Sequence, residues 1–306
     1  TDYKSIAQIT LYYMKLSNRF GNASLPLQFI VLLSLILIGL IISMLLIALS
    51  PLLIQWGIGD KPLLYLVMLI QSFGLFILPA YFTAYLLGKS PVQYLHMDKS
   101  PTWFQIFAVI LILFTATPMM NRIIEWNENL SLPESMAAIE QWMRSREESA
   151  AEVTRQLLQM SSFGNLLIVL LLVSILTGIG EEMMFRGIIQ RILYAHSHRV
   201  HFAIWFCAIL FSAVHLQFYG FVPRMLLGAF FGYLVVWTGS LWVPIIAHAF
   251  NNGMAVVLSY IYDVPQGESI IEQFGTADRY SWMAWVSLLL TATLIVLFKR
   301  MSPKEN

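Results

Sequence analysis

The segment that decides the fold is LLIVLLLVSILTGIGEEMMFRGIIQR, residues 166–191. It opens with an apolar run, Leu166–Leu176, of the kind that lies in lipid. Glu181, Glu182 and Arg186 then follow with no loop signal between them. Charged side chains at membrane depth are costly, and they usually mark a functional site. The other interpretation of this stretch is a buried ion pair that only clamps helices together.

The spacing of the three charged residues suggests that they have different tasks. Glu182 and Arg186 are four positions apart, so they share one helix face and can pair. Glu181 comes one position earlier, about 100° around the helix, and cannot easily share the same arginine. We therefore predict a supporting ion pair between Glu182 and Arg186. We expect Glu181 to have another partner or to carry chemistry.

The composition is that of an integral membrane protein. Of the 306 residues, 58% are hydrophobic and 11% are charged, whereas soluble domains have about 25% charged residues. The net charge of +1 gives no excess of positive charge of the kind that binds nucleic acid. Apolar runs long enough to cross a bilayer occur at about residues 27–50, 63–87, 102–119, 165–193, 202–219, 221–238, 241–262 and 281–299. The predicted fold class is therefore all-α, a polytopic helical membrane bundle of about eight transmembrane helices.

We predict four segments along the chain. Residues 1–119 hold an N-terminal interfacial helix, over about residues 3–20, and the first three spans. Residues 120–164 form a polar outer loop with a helix, 165–260 a catalytic core, and 261–306 the last span and a tail. Lysine and arginine collect mainly on the N-terminal side of the membrane, so both termini are expected to be cytoplasmic. No signal peptide is expected at the start of the sequence.

The polar loop carries its own helix signals. Ser131-Leu-Pro-Glu134 predicts a capping box. Glu140 and Arg144 can pair along a helix that runs to about Met160. The simplest interpretation is a solvated helix between two spans. The alternative is a lid over the functional site, or a docking element for a partner protein.

Polar side chains also interrupt the later apolar runs. His215 ends the sequence Phe211-Ser-Ala-Val-His215, and His248 and Asn252 share one helix face because they are four positions apart. A single histidine in an apolar helix is more often structural. Counted from the predicted inner ends of their runs, however, Glu181, His215 and Asn252 lie at similar depths, about 10–20 Å at 1.5 Å per residue. We therefore expect these groups to meet near the membrane midplane, in a cavity that opens inward.

This set of groups suits the attack of water on an amide. A carboxylate in apolar surroundings can take a proton from water, and an imidazole opposite it can orient that water or share the proton. A second imidazole and an Asn amide can donate to an oxyanion. Zinc is the alternative cofactor, because two His and one Glu form a known catalytic ligand set. Its ligands would be Glu181, His215 and His248. The metal-free form is slightly favoured, since an Asn amide suits an oxyanion better than zinc.

Three motifs, taken in order, resemble those of the CPBP family of intramembrane proteases, which includes CAAX prenyl endopeptidases, bacteriocin-processing enzymes and Abi proteins. They are Glu181-Glu182-x-x-x-Arg186, Phe211-x-x-x-His215 and His248-x-x-x-Asn252. The context Thr238-Gly-Ser-Leu-Trp-Val-Pro-Ile-Ile-Ala-His248 is similar as well. The likeness covers about residues 165–260, and no motif position departs from the pattern.

The resemblance implies an intramembrane endopeptidase that cleaves a membrane-associated protein or peptide, expected in a bacterial cytoplasmic membrane. The resemblance implies that Glu181 is the base that activates water, with His215 as its helper. It also implies that His248 and Asn252 form the oxyanion site. Glu182 and Arg186 would be the supporting ion pair. The alternative is a non-catalytic scaffold, immunity protein or partner subunit of the same family, with the 120–164 loop as its working surface. A transporter is disfavoured, because the sequence has no repeated halves.

Overall fold

The computed structural model describes residues 17–262, 274–276 and 280–302, and within these ranges it contains helices and turns but no strand. The predicted all-α fold is therefore confirmed. The predicted interfacial helix over residues 3–20 falls outside the described residues, apart from a turn at 17–20. The main helices in the described ranges are α1 (Leu25–Gln55), α2 (Asp60–Leu87), α3 (Trp103–Glu128), α4 (Ala137–Leu158), α5 (Phe163–Ser197), α6 (Val200–Ala213), α7 (Phe221–Thr238), α8 (Trp242–Tyr262) and α9 (Trp282–Met301).

The predicted polytopic membrane bundle is confirmed, with seven rather than eight helices of spanning length among the described residues. The difference lies at the run predicted over residues 202–219. It forms α6, a helix of 14 residues that ends at Ala213, shorter than the 20 or so residues of a typical span. Helix α6 ends early because Leu216, three residues later, takes a left-handed backbone conformation with φ of 53°, which an α-helix cannot contain.

The outer surface of α1 is the kind that lipid requires. Its side chains are mostly Leu and Ile, and residues such as Ile30, Leu33 and Leu45 are more than half exposed. A continuous apolar surface of this size is unfavourable in water, whereas in hydrocarbon it costs nothing and the helix satisfies its own backbone hydrogen bonds.

Three stretches of the spanning helices are π-helical: Ser72–Ile77 in α2, and Leu170–Leu176 and Met183–Gln190 in α5. Such wide turns are rare and frequently lie at functional sites. In α2 the sequence supplies a cause, because Pro79 has no N–H to donate to the carbonyl four residues earlier. In α5 the two stretches flank the six-residue α-helical segment Thr177–Glu182 on both sides.

The described chain forms two compact units. Unit 1 comprises the residues up to Ser100, Ile179–Ala203 and Ser240–Trp242. In unit 1 the loop after α2 is tied to the residues that begin α8. The Leu241 N–H donates to the His96 carbonyl at 3.0 Å, and Trp242 Nε1 donates to the Met97 carbonyl at 2.9 Å. This pairing fixes the start of α8 in unit 1.

Unit 2 comprises Pro101–Gly178, Ile204–Gly239 and the residues from Val243 onward. Its core is an apolar cluster to which α3, α7, α8 and α9 contribute Val109, Phe231, Ala247 and Phe298 among others. Ser287 on α9 also bonds to α3, where it donates to the Thr115 carbonyl and accepts from the Met119 N–H at 3.2 Å.

The polar segment after α3 differs from the prediction in its boundaries. Helix α3 continues to Glu128 instead of ending near residue 119, since no glycine or proline occurs between Pro118 and Pro133. The predicted capping box is wrong, because a 3₁₀ turn over Glu134–Met136 precedes α4. Ser131 is therefore too far from the start of the α-helix to cap it.

Helix α4 itself is confirmed, and it ends at Leu158, two residues before the predicted end. Arg144 pairs with Glu140 at 2.7 Å, as its spacing predicts. Glu140 also accepts a hydrogen bond from the Leu132 N–H at 3.1 Å. The hydrogen bonds from Arg144 and from Leu132 hold the pKa of the Glu140 carboxyl below its ordinary value.

Candidate active site

Three charged residues of α5, Glu181, Glu182 and Arg186, are buried. Glu182 and Arg186 are 0% and 2% exposed, and Arg186 Nη1 donates to Glu182 Oε1 at 2.8 Å. Glu181, one position earlier, is 9% exposed. A buried carboxylate is costly unless it is paired or hydrogen-bonded. The groups around Glu181 and Glu182 must therefore supply such partners.

Close packing of α5 against α2 contributes to that burial. A Cβ at Gly180 would lie 3.0 Å from the Cβ of Phe76, closer than most real side-chain contacts. Phe76 belongs to the π-helical stretch Ser72–Ile77. The residue before Glu181 must therefore be glycine for the two helices to approach this closely.

His215 lies in the turn after α6 instead of inside a span. Its Nδ1 is 2.7 Å from the Phe211 carbonyl. Because a carbonyl can only accept, Nδ1 carries the proton in this contact, and Nε2 is the acceptor nitrogen of the neutral ring. The sequence around His215 thus fixes the tautomer that a proton-accepting or water-orienting role requires.

His248 lies on α8 and is 5% exposed. The Phe211 ring contacts both imidazoles, with its centroid 5.1 Å from that of His215 and 6.1 Å from that of His248. Phe231 stacks on His248 from α7 at 5.4 Å. The aromatic rings therefore bring both histidines into one cluster of unit 2.

Asn252 lies one turn further along α8 and bonds to α5. Its Nδ2 donates to the Val173 carbonyl at 3.1 Å, in the π-helical stretch Leu170–Leu176. Ser174 Oγ donates to the Ala249 carbonyl at 2.6 Å. One amide hydrogen of Asn252 is thus used for orientation, and an amide carries a second that can donate elsewhere.

The structure thus places the six predicted site residues in two groups. Glu181, Glu182 and Arg186 lie in unit 1, whereas His215, His248 and Asn252 lie in unit 2. Sequence reasoning did not single out Phe211 as the ring that contacts both imidazoles, although it was part of a motif. It also missed Ser174 and Phe231, for which the sequence offers no signal beyond an apolar helix.

The zinc ligands that the sequence predicts, Glu181, His215 and His248, are divided between units 1 and 2. Within residues 17–262, 274–276 and 280–302, no group of three or more His, Cys, Asp or Glu side chains is arranged to hold a metal ion. The zinc set stays a prediction, and so does the metal-free alternative.

A family comparison covers this same part of the chain. Residues 163–254 match the family model described as type II CAAX prenyl endopeptidase Rce1-like. The family resemblance is confirmed. The Rce1-like segment contains all six predicted site residues, from Glu181 to Asn252. It leaves α1 to α4 and α9 outside the match.

One relative among curated proteins is the uncharacterized protein YpbD of Bacillus subtilis (strain 168). It is 24% identical to this chain over 115 residues, which is 36% of this chain and 54% of YpbD. The chain thus matches only about half the length of this relative. No solved structure matches the chain.

Proposed function

We propose that the chain is an intramembrane endopeptidase that uses water activated by Glu181 to cleave a membrane-associated protein or peptide. The observation that carries this proposal is the Rce1-like match over residues 163–254. It contains a buried carboxylate, two histidines and an Asn amide on otherwise apolar elements. The convergence of the Glu181 group with the histidine group is part of the proposal.

In the first step, the Glu181 carboxylate takes a proton from water while the water oxygen attacks the scissile carbonyl carbon. His215 accepts a hydrogen bond from that water through Nε2, because its Nδ1 is held by the Phe211 carbonyl. A tetrahedral intermediate forms, and its negative charge resides on the former carbonyl oxygen.

His248 and Asn252 stabilise that charge by donating hydrogen bonds to it. The C–N bond then breaks, and Glu181 returns its proton to the leaving nitrogen. The products are a carboxylic acid and an amine, which become a carboxylate and an ammonium group when the proton passes between them. The enzyme is regenerated without a covalent intermediate. Glu182 and Arg186 support the geometry of α5 in this reaction.

The proposed setting is a bacterial cytoplasmic membrane with both termini cytoplasmic. The seven apolar helices favour a location in a membrane, and the Bacillus relative favours a bacterial source. The excess of Lys and Arg on one side favours the orientation with both termini cytoplasmic. The family description makes a prenylated C-terminal peptide the first substrate to try.

We expect the Asn252→Ala variant to lower kcat about 10²–10³-fold with little change in KM, since an oxyanion donor acts only in the transition state. The measurement is cleavage of a quenched, farnesylated peptide by the full chain in proteoliposomes. Asn129→Ala is the matched control, because Asn129 is exposed and its side chain donates to the carbonyl of Glu125 on its own helix. A wild-type chain that binds the peptide without cleaving it would favour the non-catalytic scaffold.

We expect cleavage to persist undiminished after exhaustive treatment with a strong zinc chelator. The reason is that the Asn252 amide suits an oxyanion better than it suits zinc. Activity is compared before and after chelation, and again after zinc is added back. Complete loss that zinc restores would overturn the metal-free mechanism and leave the protease assignment in place.

A further inference from the structure

The turn that carries His215 has a backbone that must be held from outside. Leu216, the next residue, has a φ of 53°. This left-handed conformation is unfavourable for a branched, non-glycine side chain. Such a conformation persists only when the surrounding structure determines it, so the contacts of the following residues are decisive.

Asn127, at the end of α3, makes two of those contacts. It is 2% exposed. Its Nδ2 donates to the Phe218 carbonyl at 3.1 Å, and its Oδ1 accepts from the Val222 N–H at 2.8 Å. One buried amide thus bonds both to the turn after His215 and to the first turn of α7.

The second bond replaces a missing helix cap. The first N–H groups of a helix lack partners within it and are usually capped by the side chain of the N-cap residue. The N-cap residue of α7 is Gly220, which has no side chain. Asn127 therefore supplies from α3 the acceptor that the local sequence does not provide.

Helix α4 holds the same turn from another side. Trp142 packs on Phe218 with ring centroids 5.3 Å apart, and Arg144 lies over the Tyr219 ring at 4.6 Å. Glu147 accepts a hydrogen bond from the Tyr219 N–H at 3.2 Å. These three residues are on neighbouring turns of α4, and all of them contact residues 218–219.

We propose that Asn127 and three side chains of α4, Trp142, Arg144 and Glu147, are positioning elements that fix the turn after α6 and thereby the orientation of His215. This inference rests on the proposed function, since it assigns His215 a task that requires a fixed ring. It also gives the polar segment a role, because α4 supports the turn that carries a catalytic histidine. His215 lies three residues before Phe218, the first residue that α4 contacts.

The test compares Asn127→Leu with Asn129→Leu in the full chain in proteoliposomes. Both asparagines are near the end of α3, but Asn129 is exposed and its side chain donates to a carbonyl of its own helix. We expect Asn127→Leu to speed hydrogen exchange in residues 214–222. We also expect kcat to fall about 10–100-fold at unchanged KM, the size that a misplacement of about 1 Å can cause. Asn129→Leu should change neither quantity.

A second pair of variants tests whether misfolding, and not the lost positioning, causes the change in kcat. Arg144→Met removes an exposed side chain that contacts Tyr219 and pairs with Glu140, whereas Arg155→Met, on the same helix, removes an exposed pair with Glu152. Arg144→Met should reproduce the faster exchange and the lower kcat in milder form, and Arg155→Met should not. Unchanged exchange in the Asn127 and Arg144 variants would overturn the inference, as would faster exchange at an unchanged kcat.

The exchange measurement keeps this inference separate from the proposed function. Hydrogen exchange in residues 214–222 does not depend on cleavage. If Asn127→Leu speeds exchange in a chain that never cleaves peptide, the turn is held as described and the protease assignment fails. If the wild type cleaves and Asn127→Leu leaves exchange and kcat unchanged, the positioning role fails and the protease assignment stands.

Discussion

Replacing Glu181 by Gln should lower kcat about 10²–10⁴-fold, the range that a positioned general base contributes. Gln has almost the same shape as Glu, so it fills the same buried space beside the close contact at Gly180. It cannot take a proton from water, and the attack on the carbonyl then lacks its base. KM should change little, because the carboxylate acts on water and not on the bound peptide.

The measurement is again cleavage of the farnesylated peptide in proteoliposomes, with the thermal unfolding midpoint as a check on folding. Glu148→Gln is the matched control, because Glu148 is an exposed carboxylate on α4. We expect it to leave kcat unchanged. Cleavage by Glu181→Gln at the wild-type rate would remove Glu181 from the role of base, whereas a lowered unfolding midpoint would assign it a structural one.

The membrane helices could be predicted from the sequence because a bilayer imposes a simple rule. A span must be long and apolar, and the runs at 221–238, 241–262 and 281–299 match α7, α8 and α9 to within two residues. The rule failed at α6, where residues 214–219 are still largely apolar. The left-handed Leu216 and the contacts that hold it depend on α3 and α4, so hydropathy carries no sign of them.

The candidate site could be predicted in part for a similar reason. A charged or imidazole side chain inside an apolar run is conspicuous, and Glu181, His215 and His248 were found that way. Asn127 was not, because an asparagine in a polar segment looks like any solvated residue. Its burial and its two bonds to the turn and to α7 follow only from the packing of α3.

The π-helical stretches of α5 were also beyond the sequence. Leu170–Leu176 and Met183–Gln190 contain no proline or other residue that forces a wide turn. Their formation depends on what packs against them, as Asn252 and Ser174 show where α8 bonds to the first stretch. The position of a carboxylate on such a helix is therefore set by tertiary contacts as well as by residue spacing.

Breaking the Glu182–Arg186 pair should have the largest effect on stability. Both side chains are buried, at 0% and 2% exposure, with the bond at 2.8 Å. Removing one partner of a buried pair costs about 3–5 kcal/mol, because the other charge loses this bond where water cannot replace it. The free energy of unfolding of the Glu182→Gln variant should fall by that amount. Glu125→Gln, in the exposed pair with Arg122, should change it by less than about 1 kcal/mol.

The double variant tests the cause of this loss. Glu182→Gln removes the bond to Arg186 and keeps the buried guanidinium, whereas Glu182→Gln combined with Arg186→Met removes both charged groups. We therefore expect the double variant to be more stable than Glu182→Gln alone. A double variant that is no more stable than Glu182→Gln would mean that lost packing, and not the lost ion pair, destabilises α5.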